Sequence, residues 1–174
     1  MKKEVRILTK NKPKIGLLIF TMLLPLLVGT LSALLTNDAM KQYFFMNKPP
    51  LSPPGWVFAP VWTLLYLLMG FASYQVITAD GYEPLKRRAS SLYIIQLILN
   101  FFWPVLFFAC SMYLAAFIEL MIMWVVIIIC TVCFFKISRP AGFMMLPLAL
   151  WTTFAAYLNL AAYILSITPM LLHK

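Results

Sequence analysis

Within long apolar stretches the chain places a few polar and aromatic side chains at helical spacing. Tyr93, Gln96, Asn100, Trp103 and Phe107 recur at intervals of three and four and share one helix face. Trp62, Tyr66, Met69, Gly70 and Ser73 form a second such stripe, and Trp151, Ala155, Leu158, Asn159 and Ala162 a third. Glu119 is the lone charge among them. A polar group facing hydrocarbon is costly, so each must turn toward a neighbouring helix or a cavity. The chemistry on offer is recognition. Aromatic walls bury a flat apolar molecule, while donors such as Trp62 Nε1 and Asn100 Nδ2 orient it. Pro104 cannot donate to the carbonyl of residue 100, so Asn100 would add a freed backbone acceptor to its amide.

Other chemistries find no residues in these stretches. There are no paired carboxylates and no Ser–His pair, so no conventional acid–base or nucleophilic site can be drawn, and no catalytic residue is assigned. Cys130 and Cys133 form a CxxC, but no His or second cysteine pair stands near it, and a zinc site needs four ligands. Two apolar-facing thiols are expected instead, with no metal site and no cofactor. The single histidine, His173, is terminal and excludes a haem-ligating histidine within the apolar stretches.

The elements that position these groups follow from where charge is missing. Five stretches, 15–36, 56–78, 89–109, 112–135 and 142–167, hold one of the chain's 19 Lys, Arg, Asp and Glu residues. Each is long enough to cross a bilayer, which takes about 20 residues as a helix. With 63% hydrophobic and 11% charged residues, the 174-residue chain excludes an ordinary water-soluble fold. The expected fold class is an all-α membrane protein, a five-transmembrane-helix bundle spanning 15–167. The first run is too long for the hydrophobic region of a signal peptide, about 7 to 15 residues. The net charge of +9 flanks the spans rather than lining a folded polar face, so nucleic acid is not an expected partner; the lipid bilayer is.

Basic residues also set the expected orientation. Eleven fall in the tail 1–14, the second loop (Lys86, Arg87, Arg88) and the fourth (Lys136, Arg139), against Lys41, Lys48 and Lys174 on the other side. Positive-inside places the N-terminus in the cytoplasm and the short tail 168–174 outside, in a cell (plasma or inner) membrane. The loop 37–55 then lies outside. Its prolines Pro49, Pro50, Pro53 and Pro54, ending at Trp56, predict an extended, stiff segment. It could be a rigid interfacial loop with an aromatic belt, or a lid over a pocket mouth. At about 1.5 Å per residue, Trp62, Asn100, Trp103 and Glu119 all lie about 9 to 13 Å below the outer helix ends, in one layer beneath that loop. Helix-to-helix hydrogen bonding explains any one of them; their convergence favours a pocket.

The runs PPLSPPGWVFAPVWTLLYLLMGFASY (49–74), LNFFW (99–103) and WTTFAAYLN (151–159) closely resemble the translocator protein family, also called tryptophan-rich sensory proteins or peripheral-type benzodiazepine receptors. The resemblance covers all five spans. It implies a five-helix bundle, often a homodimer, binding porphyrins such as protoporphyrin IX and synthetic isoquinoline carboxamide or benzodiazepine-type ligands. It maps polar ligand anchors onto Trp62 and Asn100, and a pocket wall onto Trp103, Trp151 and Ala155; Tyr66, Leu158 and Asn159 complete the expected binding set. Some bacterial members degrade protoporphyrin IX in light, and under that reading Trp151 would be the redox partner. A small-molecule exporter using Glu119 as a relay is a third reading. The family's sterol signature, a tyrosine with a nearby basic residue at the end of span five, is missing: no Lys or Arg follows Tyr163 until Lys174. Gly29 and Ala33 form a small-xxx-small pair suited to a helix contact.

Overall fold

The computed structural model describes residues 14–45 and 49–172, without the side chains of Phe44, Phe45 and residues 169–172. The basic tail before Lys14, together with Lys48, His173 and Lys174, lies outside the described residues. Five helices form: α1 (Ile15–Phe45), α2 (Gly55–Thr78), α3 (Glu83–Pro104), α4 (Tyr113–Ile137) and α5 (Arg139–Leu172). All five are long and apolar enough to cross a membrane, and no strand occurs among the described residues.

The helices outrun the expected spans. Hydropathy marks the hydrocarbon crossing, whereas a helix continues until something breaks it. Residues 37–45 contain neither Pro nor Gly, so α1 extends through them and the loop expected at 37–55 is much shorter. Residues 168–172, expected as a tail, are the last turn of α5. The fourth loop shrinks to Ser138, because Pro140 falls in the first turn of α5, where its missing N–H is no loss. Lys86, Arg87 and Arg88 are likewise helical, at the start of α3.

The expectation of a uniformly extended proline segment is also corrected. Ser52 N donates to Pro49 O at 3.2 Å, and Leu51 has φ 63°. Proline at the second position of a turn and positive φ at the third is the type II pattern. Only residues that precede a proline are forced to be extended, and Leu51 does not.

The helices pack in a ring, α1–α2–α5–α4–α3 and back to α1, with α2 also touching α3 and α4 across the interior. One end gathers Lys14, Lys86, Arg87, Arg88, Lys136 and Arg139, and beneath it the bundle is solid: Val76, Ala89, Phe134, Ala141 and Met145 are fully buried. Ser138 Oγ donates to Gln75 Oε1 (3.1 Å), and Gln75 Nε2 to Met144 Sδ (3.7 Å). The large apolar side chains left exposed, such as Leu27, Leu34, Ile98, Ile118 and Leu150, form the lipid-facing surface.

Two prolines shape this ring. Pro25 leaves the Thr21 carbonyl without its helical donor, and that oxygen lies where α2 comes closest, 2.6 Å from the place a Cβ on Gly70 would occupy. Pro104 ends the regular part of α3. The next residues, Val105–Ala109, form a π-helical turn with Cys110 N donating to Val105 O at 2.9 Å. The carbonyl of Phe101 accepts Ser32 Oγ from α1 at 2.8 Å. The chain then reverses at Ser111, in the left-handed region at φ 53°.

Candidate functional site

The half of the bundle away from the basic end is not solid. A cavity of about 150 Å³ lies between α1, α2 and α3, walled by Ser32, Ala33, Thr36, Phe58, Trp62, Tyr66, Asn100, Trp103 and Phe108. A second, of about 20 Å³, lies toward α5, lined by Tyr43, Phe107, Trp151, Phe154, Ala155 and Leu158. Phe58, Trp62, Trp103 and Phe108 line both, so these four rings form a partition between two lobes.

Ring contacts tie the walls together. Trp103 stacks on Phe107 (5.2 Å) and meets Phe108 edge-on (6.0 Å), Trp62 lies against Tyr66 (5.4 Å), and Phe58 meets Trp151 edge-on (5.9 Å). Gly29 makes room for this wall, since a Cβ there would overlap the Tyr66 ring.

The expected residues divide into three groups. Trp62, Tyr66, Asn100 and Trp103 line the larger lobe, and Trp151, Ala155 and Leu158 the smaller. Asn159 lines neither: it is fully buried, accepts Trp103 Nε1 at 3.1 Å and donates through Nδ2 to Tyr113 O at 2.7 Å. It fixes the Trp103 indole and joins α3 to the start of α4. Asn100 Nδ2, expected to face a ligand, instead donates to Gln96 O (2.8 Å) and Gln96 Oε1 (3.1 Å). The atom it leaves unpaired is the acceptor Oδ1. With Trp103 Nε1 also engaged, Trp62 Nε1 and Tyr66 OH are the side-chain donors left in the larger lobe.

The proline segment meets α5. Tyr157 OH donates to Pro50 O at 3.1 Å. Pro49, Pro50, Pro53 and Pro54 line neither cavity, and Trp56 is 75% exposed; the turn hands over to Gly55, Phe58 and Ala59, which do line the larger lobe. Glu119 lines neither lobe, and both its oxygens are buried without a hydrogen-bond partner among the described residues. Cys130 and Cys133 are buried, and Cys130 Sγ donates to Ala89 O at 3.8 Å.

Sequence reading missed the contribution of α1. Ser32 and Thr36 carry no stripe of conspicuous residues, and their hydroxyls could equally have satisfied their own helix. Thr36 does so, donating to Ser32 O at 2.9 Å. The signal for Ser32 lay in α3, where Pro104 disrupts the carbonyl ladder that Ser32 then serves.

A five-helix membrane bundle, with a tightly packed core beneath its basic end and an aromatic-walled cavity in its other half, defines a class of integral membrane proteins with room for a small molecule among their helices. The TspO/MBR family model matches residues 21–165, and the chain belongs to this family. It is 34% identical over 127 residues to the Tryptophan-rich protein TspO of Chlorobaculum tepidum, covering 73% of this chain and 79% of the relative. It is also 34% identical over 134 residues to the Tryptophan-rich sensory protein of Cereibacter sphaeroides (77% and 81% covered). The Translocator protein of Bos taurus is 34% identical over 139 residues (79% and 82%). Membership supports a role as a membrane receptor or binding protein.

Proposed function

We propose that this chain is a membrane receptor for porphyrins, protoporphyrin IX and haem-type tetrapyrroles, and that isoquinoline carboxamide or benzodiazepine-type ligands enter the same site. The observation that carries this reading is the pair of aromatic-walled lobes meeting at Trp62 and Trp103, within the part of the chain that the family model matches. Flat aromatic faces stack on such walls, and Trp62 Nε1 is placed to donate to a ligand carbonyl or carboxylate. Drug-sized ligands occupy sites of about 300–1,000 Å³, more than the two lobes hold together, so binding requires the partition rings to part and the surrounding walls to move outward. The receptor acts as a homodimer in the plasma or inner membrane, with its N-terminus in the cytoplasm, and serves tetrapyrrole transport or stress sensing.

Titrating the purified protein with protoporphyrin IX while following tryptophan fluorescence tests the reading. Saturable quenching, lost when Trp62 and Trp103 are both replaced by Ala while helicity is kept, is the expected outcome. Illumination in air separates the second reading, a light- and oxygen-dependent porphyrin-degrading enzyme. What supports this second reading is that Trp151 lines the smaller lobe and meets Phe58 edge-on. A defined porphyrin product, abolished by Trp151→Phe with binding retained, would make the protein an enzyme.

A further inference from the structure

A separate cavity opens at the basic end, remote from the aromatic lobes. It measures about 340 Å³ and is lined by Lys14, Tyr74, Ile77, Thr78, Asp80 and Lys86. Its walls carry both signs of charge. Lys14 stands at the start of α1 and Lys86 in the second turn of α3, its side chain only 15% exposed and its Nζ 3.0 Å from Glu83 Oε1. Asp80 lines the same cavity just beyond the C-terminal end of α2, where the last helical bond is Ala79 N to Gln75 O and the following carbonyls are left to other donors. Lys14 N donates to Tyr74 OH at 3.2 Å, which closes the cavity between α1 and α2 and leaves the phenol proton free to donate.

A simple anion would meet Asp80 and a helix C-terminus, and a simple cation would meet two lysines. A zwitterion satisfies both walls. The cavity also sits where the apolar span ends, and Ile77 and Phe71, about 39% and 38% exposed, lie on the Tyr74 face of α2 and lead from it toward the bilayer centre. A polar cavity continued by an apolar strip matches a headgroup with its acyl chains.

We infer that the cavity formed by the start of α1, the end of α2 and the start of α3 binds the headgroup of an aminophospholipid of the phosphatidylethanolamine type. Lys14, Lys86 and the Tyr74 hydroxyl take the phosphate. Asp80 and the terminal α2 carbonyls accept hydrogen bonds from the ammonium, which a trimethylammonium headgroup cannot donate. The acyl chains run along Ile77 and Phe71. This site is independent of the aromatic lobes and of what they bind.

Native mass spectrometry of the full chain, released from nanodiscs holding phosphatidylethanolamine, phosphatidylcholine and phosphatidylglycerol in equal amounts, tests it. Wild type is expected to retain phosphatidylethanolamine about five- to tenfold over either competitor. Lys86→Gln should bring retention down to the phosphatidylcholine level, and Asp80→Asn should erase the preference over phosphatidylglycerol. Both substitutions fall at the helix ends, and unchanged helicity with unchanged protoporphyrin quenching will show that the fold is kept. Equal retention of all three lipids, a preference for phosphatidylglycerol in wild type, or wild-type selectivity in both variants would overturn the inference. So would competition by chain-free glycerophosphoethanolamine as strong as that by the lipid, which would make this a site for a soluble ligand.

Discussion

Asn100 and Trp62 share a cavity wall but have different duties. Asn100 spends both amide hydrogens on Gln96, while Trp62 Nε1 has no acceptor among the described residues. Under the proposed function, a carbonyl-bearing ligand such as an isoquinoline carboxamide would take its directed hydrogen bond from Trp62. Trp62→Phe keeps the ring and removes the donor, so calorimetric affinity should fall by about 1 to 2 kcal/mol, roughly tenfold in Kd, with the melting temperature unchanged. An unaltered Kd would show that Trp62 acts only as a wall. Asn159 behaves in the opposite way. It touches no cavity but satisfies Trp103 Nε1 in the buried interior. Asn159→Ala leaves that indole unpaired and should cost about 1 to 3 kcal/mol of stability in detergent denaturation. Any loss of ligand affinity should follow from a displaced Trp103, visible as changed tryptophan emission before ligand is added.

At the scale of helices and loops, the tie between Tyr157 and Pro50 determines how freely the proline turn can move. The turn holds Leu51 at positive φ, a conformation that costs an L-residue about 1 to 2 kcal/mol, and the hydroxyl on α5 holds the turn in place. Tyr157→Phe should free the turn with little change in affinity, raising association and dissociation rates together by a few-fold in stopped-flow measurements. A change in dissociation alone would mean that Tyr157 contacts the ligand. The five spans were legible because bilayer thickness imposes a run length that no soluble element imitates. Their ends were not, because Asn37, Asp38, Lys41 and Gln42 end a hydropathy window without ending a helix. That the stripes on α2, α3 and α5 turn toward the bundle interior was legible from Trp and Asn at helical spacing. What spacing could not show was the direction of each hydrogen bond: Asn100 and Asn159 look alike in sequence, and only the packing of α3 and α5 against α4 separates a cavity-lining amide from a buried strut.

For the molecule as a whole, the contrast between the packed core beneath the basic end and the lobed opposite half bears on where motion can occur. The sealed core of Val76, Phe134 and Met145 has no space to yield, and interiors packed like organic crystals resist deformation. Parting of the rings must therefore open the end that carries the proline turn. Topology can be checked first: a reporter inserted at the exposed Gly81 should be active only on the cytoplasmic side, and one fused after Lys174 only on the outer side. The size mismatch then makes a kinetic prediction. A one-ring aromatic probe fits a dry cavity of about 150 Å³, so it should enter the larger lobe without rearrangement, at a rate rising linearly with its concentration. If protoporphyrin is the ligand proposed above, it exceeds either lobe and enters only once Trp62 and Trp103 separate, so its observed rate should level off at the rate of opening. Tyr157→Phe should raise that plateau while leaving the small probe's slope unchanged, because the turn is released but the larger lobe is not reshaped. A porphyrin rate that stays linear to the highest usable concentration would mean that the lobes are already joined before the ligand arrives, and the partition would then be no barrier to entry.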